Sequence, residues 1–188
     1  MKSKTNLELK HYCPDFNKIR IILEKVGAKK LVVKKQKDYF FNLPKNNNSQ
    51  SPRLKLRLEK DVTTLVYYER PPFKRTKDTA SKVKLYTVTD KQLLPFLEEV
   101  LGVKAIVEKK REVWKKANTV FHLDTIKGVG DIFEVELQKQ GKITEKDHAI
   151  FKAYQDQLQP HLGNVIKGSN VDLVAKFEPE RPPDLTRA

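Results

Sequence analysis

The sequence predicts an α+β fold in which a closed sheet turns its charged strand faces inward and carries helices on its outside. Most segments alternate apolar and charged residues, which is the two-residue period of a β-strand. The other segments have apolar residues at helical spacing and need an apolar surface on which to pack. The apolar strand faces supply that surface, so the charged strand faces are left to face one another.

The predicted strands follow one another along almost the whole chain. In the clearest of them, Leu54, Leu56 and Leu58 lie on one face and charged residues on the other. The predicted strands are residues 5–11, 31–42, 53–59, 63–70, 82–88 and 103–114, followed by a hairpin at 122–138. No repeat or linker interrupts them, so one domain is expected at residues 1–177, followed by a flexible Pro-rich tail at residues 178–188.

Amphipathic helices are predicted between the strands. The first begins with Pro14 and stops at Gly27, and the second follows Thr89 as N-cap and stops at Gly102. The predicted helices are residues 14–26, 90–101 and 144–158, and a closing segment covers 163–177.

The hairpin at residues 122–138 carries the most informative cluster of charge. In its second strand Glu134 and Glu136 lie side by side on one face, and Asp124 can join them across the hairpin. Carboxylates this close raise one another's pKa unless a cation or basic side chains compensate. The hairpin therefore predicts either a cation site or, as the alternative, a structural ion pair with Lys109 or Arg111.

Composition points to an acidic partner. The 188 residues contain 38 Lys and Arg against 24 Asp and Glu, so the net charge is 38 − 24 = +14. The lone Cys13 excludes an intramolecular disulfide and indicates a cytoplasmic protein. No apolar run approaches 18 residues, so no membrane association is expected.

Charges of both signs fall on the inward strand faces. The carboxylates are Glu8, Asp124, Glu134 and Glu136, and the cations are Lys10, Lys55, Arg57, Lys109 and Arg111. One or two carboxylates suffice for Mg²⁺ when substrate phosphates supply further oxygens, and Lys and Arg bind the remaining phosphate oxygens. The pattern predicts a metal-chelated triphosphate as ligand, although a conventional sheet with a solvated charged face would show similar alternation.

Several segments, in order, resemble the CYTH superfamily of triphosphate tunnel enzymes, especially its class IV adenylate cyclase branch. N-L-E-L-K at residues 6–10 is similar to the signature E-x-E-x-K, and L-K-L-R at 54–57 resembles L-R-x-R. Further similar segments are Q-K-D-Y-F-F-N-L-P at 36–44, V-E-K-K-R-E-V-W at 107–114, the hairpin itself, and L-G at 162–163 with S-N-V-D-L-V at 169–174.

The resemblance implies an antiparallel closed barrel of about eight strands around a central tunnel. By position it implies Mg²⁺ or Mn²⁺ held by Glu8, Asp124, Glu134 and Glu136. It implies phosphate binding by Lys10, Lys55, Arg57, Lys82, Lys109 and Arg111. It implies catalytic roles for Glu8, Lys10, Glu134 and Glu136.

The resemblance leaves two reactions open. A cyclase would convert ATP to cyclic AMP and pyrophosphate. A triphosphatase would hydrolyse inorganic, nucleoside or thiamine triphosphate. A weakened member would bind polyphosphates or nucleotides without turnover, and the chain departs from the family pattern in that direction. Asn6 replaces one Glu of the signature, and Lys84 and Tyr86 align with two more.

The rival function is nucleic-acid binding, which the positive charge favours. Against it, the charges alternate within strands instead of forming one basic stripe, and the carboxylates would repel phosphates. The expected partner is therefore a small-molecule triphosphate or nucleotide, with an RNA 5′-triphosphate end as the one nucleic-acid exception. The protein is expected to be a monomer or a homodimer.

Overall fold

A computed structural model describes the backbone of residues 2–44, 51–70 and 79–177, and the side chains of residues 5–44, 52–69 and 83–174. The predicted tail at 178–188 and residues 71–78 lie outside the described residues. The strands are Lys2–Tyr12 (β1), Lys29–Phe41 (β2), Ser51–Leu58 (β3), Thr63–Arg70 (β4), Thr79–Val88 (β5), Val103–Lys116 (β6), Thr119–Ile126 (β7) and Gly130–Lys139 (β8). The α-helices are Phe16–Lys25 (α1), Leu93–Leu101 (α2), Glu145–Leu158 (α3) and Asn170–Phe177 (α4), and Gln159–His161 forms a 3₁₀ turn.

The eight strands close into an antiparallel barrel, as predicted. Their order around the barrel is β1-β5-β4-β3-β2-β6-β7-β8, and β8 pairs again with β1. The chain forms two meanders, β2 to β5 and β6 to β8, and β1 joins the last strand of each. No helix of the described residues is long and apolar enough to cross a bilayer.

Helices α1, α2 and α3 cover the outer barrel surface. Ile19 and Leu23 of α1 and Phe151 of α3 pack in one buried cluster with outward-facing residues such as Leu7 and Phe133. Helix α2 packs separately, with Leu97 in a cluster formed mainly with β2 and β3. The apolar strand faces therefore point outward to the helices, which leaves the alternate, charged faces inside.

Helix α4 lies in the closing segment 163–177, where no helix was predicted, and it packs differently from the other three helices. Its Val171 and Val174 pack in a buried cluster with Phe40, Val107 and Ile132. These three residues share strand faces with charged residues of the barrel interior, so α4 lies against one end of the inner face. The helix thereby closes that end and brings its first residues to the interior cavity.

Candidate active site

The barrel encloses a cavity of about 230 Å³ lined by fixed charges. Its cations are Lys10, Lys55, Arg57, Lys109 and Arg111, and its carboxylates are Glu8, Glu134 and Glu136. All eight strands contribute lining side chains, so the cavity exists only because the sheet closes. The structure thus brings together most of the site residues predicted from the sequence.

Asp124 anchors two of these cations at the cavity floor. Asp124 is fully buried. Its Oδ1 accepts a hydrogen bond of 2.6 Å from Arg111 Nε, and its Oδ2 accepts one of 3.1 Å from Lys109 Nζ. Arg111 also donates through Nη2 to Asp124 and to Glu134. Burial alone would raise the pKa of Asp124, but Arg111 and Lys109 hold it well below its usual value. Asp124 is therefore an ionised partner of two cations and does not itself line the cavity.

Asp38 plays the same part for the second pair of cations. Its carboxylate accepts from Lys55 Nζ at 2.7 Å and from Arg57 Nε and Nη2 at 2.7 and 2.9 Å. Burial and the neighbouring Arg57 lower the pKa of Lys55 to about 7. In the same way, burial and Arg111 lower the pKa of Lys109 to about 8. Both lysines consequently change charge near neutral pH.

Strands β1 and β8 place the fifth cation, Lys10, between carboxylates. Lys10 faces Glu134 in the strand register and approaches it to 3.0 Å, with Glu8 at 3.7 Å. Burial would raise the pKa of Glu134, but Lys10 and Arg111 lower it well below its usual value. Two residues along the register, on the same face, Glu8 and Glu136 are direct cross-strand partners.

Glu136 is surrounded by neutral hydrogen-bonding groups. Asn6 Nδ2 donates to it at 2.7 Å, Gln138 Nε2 at 2.8 Å, and His122 Nε2 lies 3.5 Å away. Burial, and after it Arg111, lowers the pKa of His122, which favours a neutral ring at pH 7. At position 6, where the resembled signature has Glu, this chain therefore has an amide that donates to Glu136.

The donor set suits a hard divalent cation that also takes oxygens from a substrate. Glu8 and Glu136 face each other, and the buried Asn6 Oδ1 has no hydrogen-bond partner in the described part of the chain. Oxygen ligands of this kind fit Mg²⁺ or Mn²⁺ when phosphates and waters complete the shell. No group of three or more His, Cys, Asp or Glu side chains among the described residues is arranged to hold a metal ion, so a cation here would depend on further oxygens from substrate and water. Asp124 lies outside this set, because it does not line the cavity and its oxygens accept from Arg111 and Lys109.

Strand β5 turns toward the cavity the face opposite to the one predicted. Val83 and Leu85 line the cavity, whereas Lys84 and Tyr86 are exposed on the barrel surface. Lys84 and Tyr86 therefore do not occupy tunnel positions, because a shift of one residue moves a strand side chain to the other face. The side chain of Lys82 lies outside the described residues, so its phosphate-binding role stays a prediction.

Sequence reasoning missed Asp38, His122 and Tyr68 as site residues. Asp38 and His122 are buried in the barrel interior, and Tyr68 lines the cavity beside the β5 residues. The signal for Asp38 was present, since it alternates with Gln36 and Phe40 as the inner face of β2. Only the register of β2 with β3 places it against Lys55 and Arg57.

The fold and the site together define a class of protein: a closed antiparallel barrel with buried Lys and Arg side chains and opposed carboxylates around one cavity. Comparison with known families agrees with this class. Residues 4–165 match the CYTH domain, and the chain belongs to the CYTH domain family.

Individual proteins are similar to this chain, one in sequence and others in fold. A protein of Methanocaldococcus jannaschii, named "Putative adenylate cyclase MJ0240", is 26% identical over 175 residues, covering 89% of this chain and 97% of its own. The solved PH1012 protein of Pyrococcus horikoshii superposes with a TM-score of 0.72 at 21% identity, covering 89% of this chain and 98% of its own. A Hippeastrum adenylyl cyclase homologue described as having a dominant triphosphatase activity superposes with a TM-score of 0.63 at 12% identity, covering 92% and 95%.

Proposed function

We propose that this protein is a divalent-metal-dependent enzyme that cleaves a phosphoanhydride bond of a triphosphate substrate, as a class IV adenylate cyclase-like enzyme acting on ATP. The observation that carries the proposal is a set of five cations around one cavity. The same cavity is lined by the facing carboxylates Glu8 and Glu136. A triphosphate carries enough negative charge to engage all of these cations. The M. jannaschii relative's name supports the cyclase form.

The phosphate oxygens would lie among Lys10, Lys55, Arg57, Lys109 and Arg111. Asp38 and Asp124 hold four of these five cations in place before any substrate arrives. Because the donors are already oriented in a buried site, little reorganisation is needed as charge develops on the phosphates. Arg57 and Arg111 can each offer a planar pair of donors, whereas the lysines act as compact charges.

Glu8, Glu134 and Glu136, with Asn6 Oδ1, would hold the cation, and Glu8, Lys10, Glu134 and Glu136 form the proposed catalytic set. When bound, Mg²⁺ or Mn²⁺ supplies Lewis-acid polarisation and charge neutralisation at the phosphates. Lys10 lies between Glu8 and Glu134, so it can contact a phosphate oxygen while its charge remains balanced.

In the cyclase reaction, the ribose 3′-oxygen forms a bond to the α-phosphorus while the bond from that phosphorus to the leaving pyrophosphate breaks. The hydroxyl proton passes to solvent water, and pyrophosphate carries away the displaced electron pair. The residues around the cavity hold attacking and leaving oxygens in line, which is the main protein contribution to phosphoryl transfer.

Hydrolysis at the terminal phosphorus is the second candidate reaction. It uses the same cations and carboxylates around the cavity, with water as nucleophile and orthophosphate as product. The activity described for the Hippeastrum homologue supports keeping it beside the cyclase reaction.

A turnover panel tests the proposed function. Purified protein is given ATP, GTP, thiamine triphosphate, inorganic triphosphate or an RNA with a 5′-triphosphate, each with Mg²⁺, Mn²⁺ or chelator, and products are resolved by chromatography. Cyclic AMP with pyrophosphate identifies a cyclase, and orthophosphate release identifies a triphosphatase. Binding of triphosphates without any turnover would show a non-catalytic member, and neither turnover nor binding would overturn the proposal.

Triphosphate affinity is expected to fall as the pH rises from 6.5 to 9. Lys55 and Lys109, with pKa values of about 7 and about 8, are increasingly neutral across that interval and attract a polyanion less. The anion favours the charged lysines, so binding should take up protons when the pH lies near these values. Calorimetry in two buffers of different ionisation enthalpy measures that uptake. Lys55→Arg, which stays charged, should flatten the profile, and an unchanged profile in this variant would contradict the assignment.

A further inference from the structure

One side of the cavity is apolar. Val66 and Tyr68 of β4 lie beside Leu85 and Val83 of β5, because the register pairs Val66 with Leu85 and Tyr68 with Val83. All four side chains line the cavity, and we call them the β4–β5 wall. No charged side chain of β4 or β5 lines the cavity within the described part of these two strands.

An unsatisfied polar group also lines the cavity. Asn170 begins helix α4, is only 9% exposed, and its Oδ1 has no hydrogen-bond partner among the residues described. The neighbouring Ser169 hydrogen-bonds with Tyr68, which connects this end of the helix to the wall. A buried acceptor without a partner is costly, so its retention beside an open cavity indicates a group that donates to it.

The wall does not suit phosphate. A phosphate oxygen placed against Val66, Val83 and Leu85 would lose its hydration and find no donor there. An apolar or aromatic group placed there removes both its own surface and that of the wall from water. This burial contributes about 25 cal/mol of favourable free energy per Å² of apolar surface. The phosphates are drawn instead to the five cations, which lie on β1, β3 and β6 and not on the wall itself.

We propose that the β4–β5 wall is the subsite for the organic group of the substrate, so that this protein takes an organic triphosphate with an aromatic group in preference to inorganic triphosphate. The wall fixes which end of the molecule lies where, with the ring on β4 and β5 and the phosphate chain on the charged side. Asn170 Oδ1 accepts a hydrogen bond from an N–H or O–H of the organic group. This inference rests on the proposed function, because it divides the same cavity into two parts.

Leu85→Gln tests the wall, and Tyr86→Gln is its matched control. The two residues are neighbours on β5, but Leu85 lines the cavity and Tyr86 is 61% exposed on the barrel surface. Calorimetry measures the binding of ATP and of inorganic triphosphate, each with Mg²⁺, to both variants and the unmodified protein. Val83→Thr, which keeps the side-chain shape, serves as a second variant should Leu85→Gln unfold.

The unmodified protein is expected to bind ATP more tightly than inorganic triphosphate. Leu85→Gln should weaken ATP binding by about tenfold and leave inorganic triphosphate binding unchanged, since only ATP contacts the wall. Tyr86→Gln should change neither. Equal losses of affinity for both ligands in Leu85→Gln would overturn the role of the wall as the organic subsite. Inorganic triphosphate binding at least as tightly as ATP to the unmodified protein would do the same. Either result would leave the proposed function standing. Absence of binding by either ligand would instead overturn the proposed function.

Discussion

Replacing Glu134 and Glu136 together by glutamine is expected to lower metal-dependent turnover by about 10²- to 10³-fold, which is the loss typical of removing a group that stabilises charge in the transition state. Glutamine keeps the shape of both side chains and removes their negative charge. Metal affinity should fall with it, because Glu8 would be the one carboxylate left lining the cavity in the described part of the chain.

The same variant separates metal binding from anion binding. In chelator, its affinity for triphosphate should rise, because two negative charges have left the neighbourhood of Lys10 and Arg111. The matched control is Glu98→Gln with Glu99→Gln, a pair of exposed carboxylates on α2. Full turnover in the Glu134/Glu136 variant, with unaltered metal dependence, would place the catalytic metal elsewhere.

Replacing Asp124 by alanine is expected to destabilise the fold by about 3–5 kcal/mol, the range observed when one partner of a buried ion pair is removed. Arg111 and Lys109 would then remain buried in the barrel interior without their shared counter-charge. The free energy of unfolding, from urea denaturation followed by circular dichroism, measures the effect.

Asp156→Ala is the matched control for this loss. Asp156 pairs with Lys152 four residues earlier on α3, where both side chains are mainly exposed. Such a helical surface pair contributes about 0.3–0.5 kcal/mol. Triphosphate should also stabilise the Asp124 variant more than the unmodified protein, because the ligand supplies the missing negative charge. Equal losses in the two aspartate variants would contradict the anchoring role of Asp124.

Local sequence predicted the faces of the strands that helices cover. On β1 the outward Leu7 packs against the helices, so Glu8 and Lys10 had to face inward. The same logic predicted Glu134, Glu136, Lys109 and Arg111 inside the barrel, because a period of two leaves each residue only two faces. These positions follow from alternation together with the need of amphipathic helices for an apolar surface.

Strand β5 shows where that logic ends. Its outer face carries the exposed Lys84 and Tyr86, so this part of the strand meets water outside and turns Val83 and Leu85 into the cavity. The polar and apolar residues of the sequence alternate in the same way whichever of the two faces points inward. Which face points inward depends on whether another element covers the strand, and that is a long-range property.

The sequence by itself determined the strands, the outer helices α1 to α3 and most of the charged groups inside the barrel, because those follow from local periodicity. The tertiary structure alone decided three features: the pairing of Asp38 with Lys55 and Arg57, the closure of one barrel end by α4, and the β4–β5 wall. Each depends on contacts between segments far apart in the chain, and strand register and barrel closure fix such contacts without leaving a local pattern.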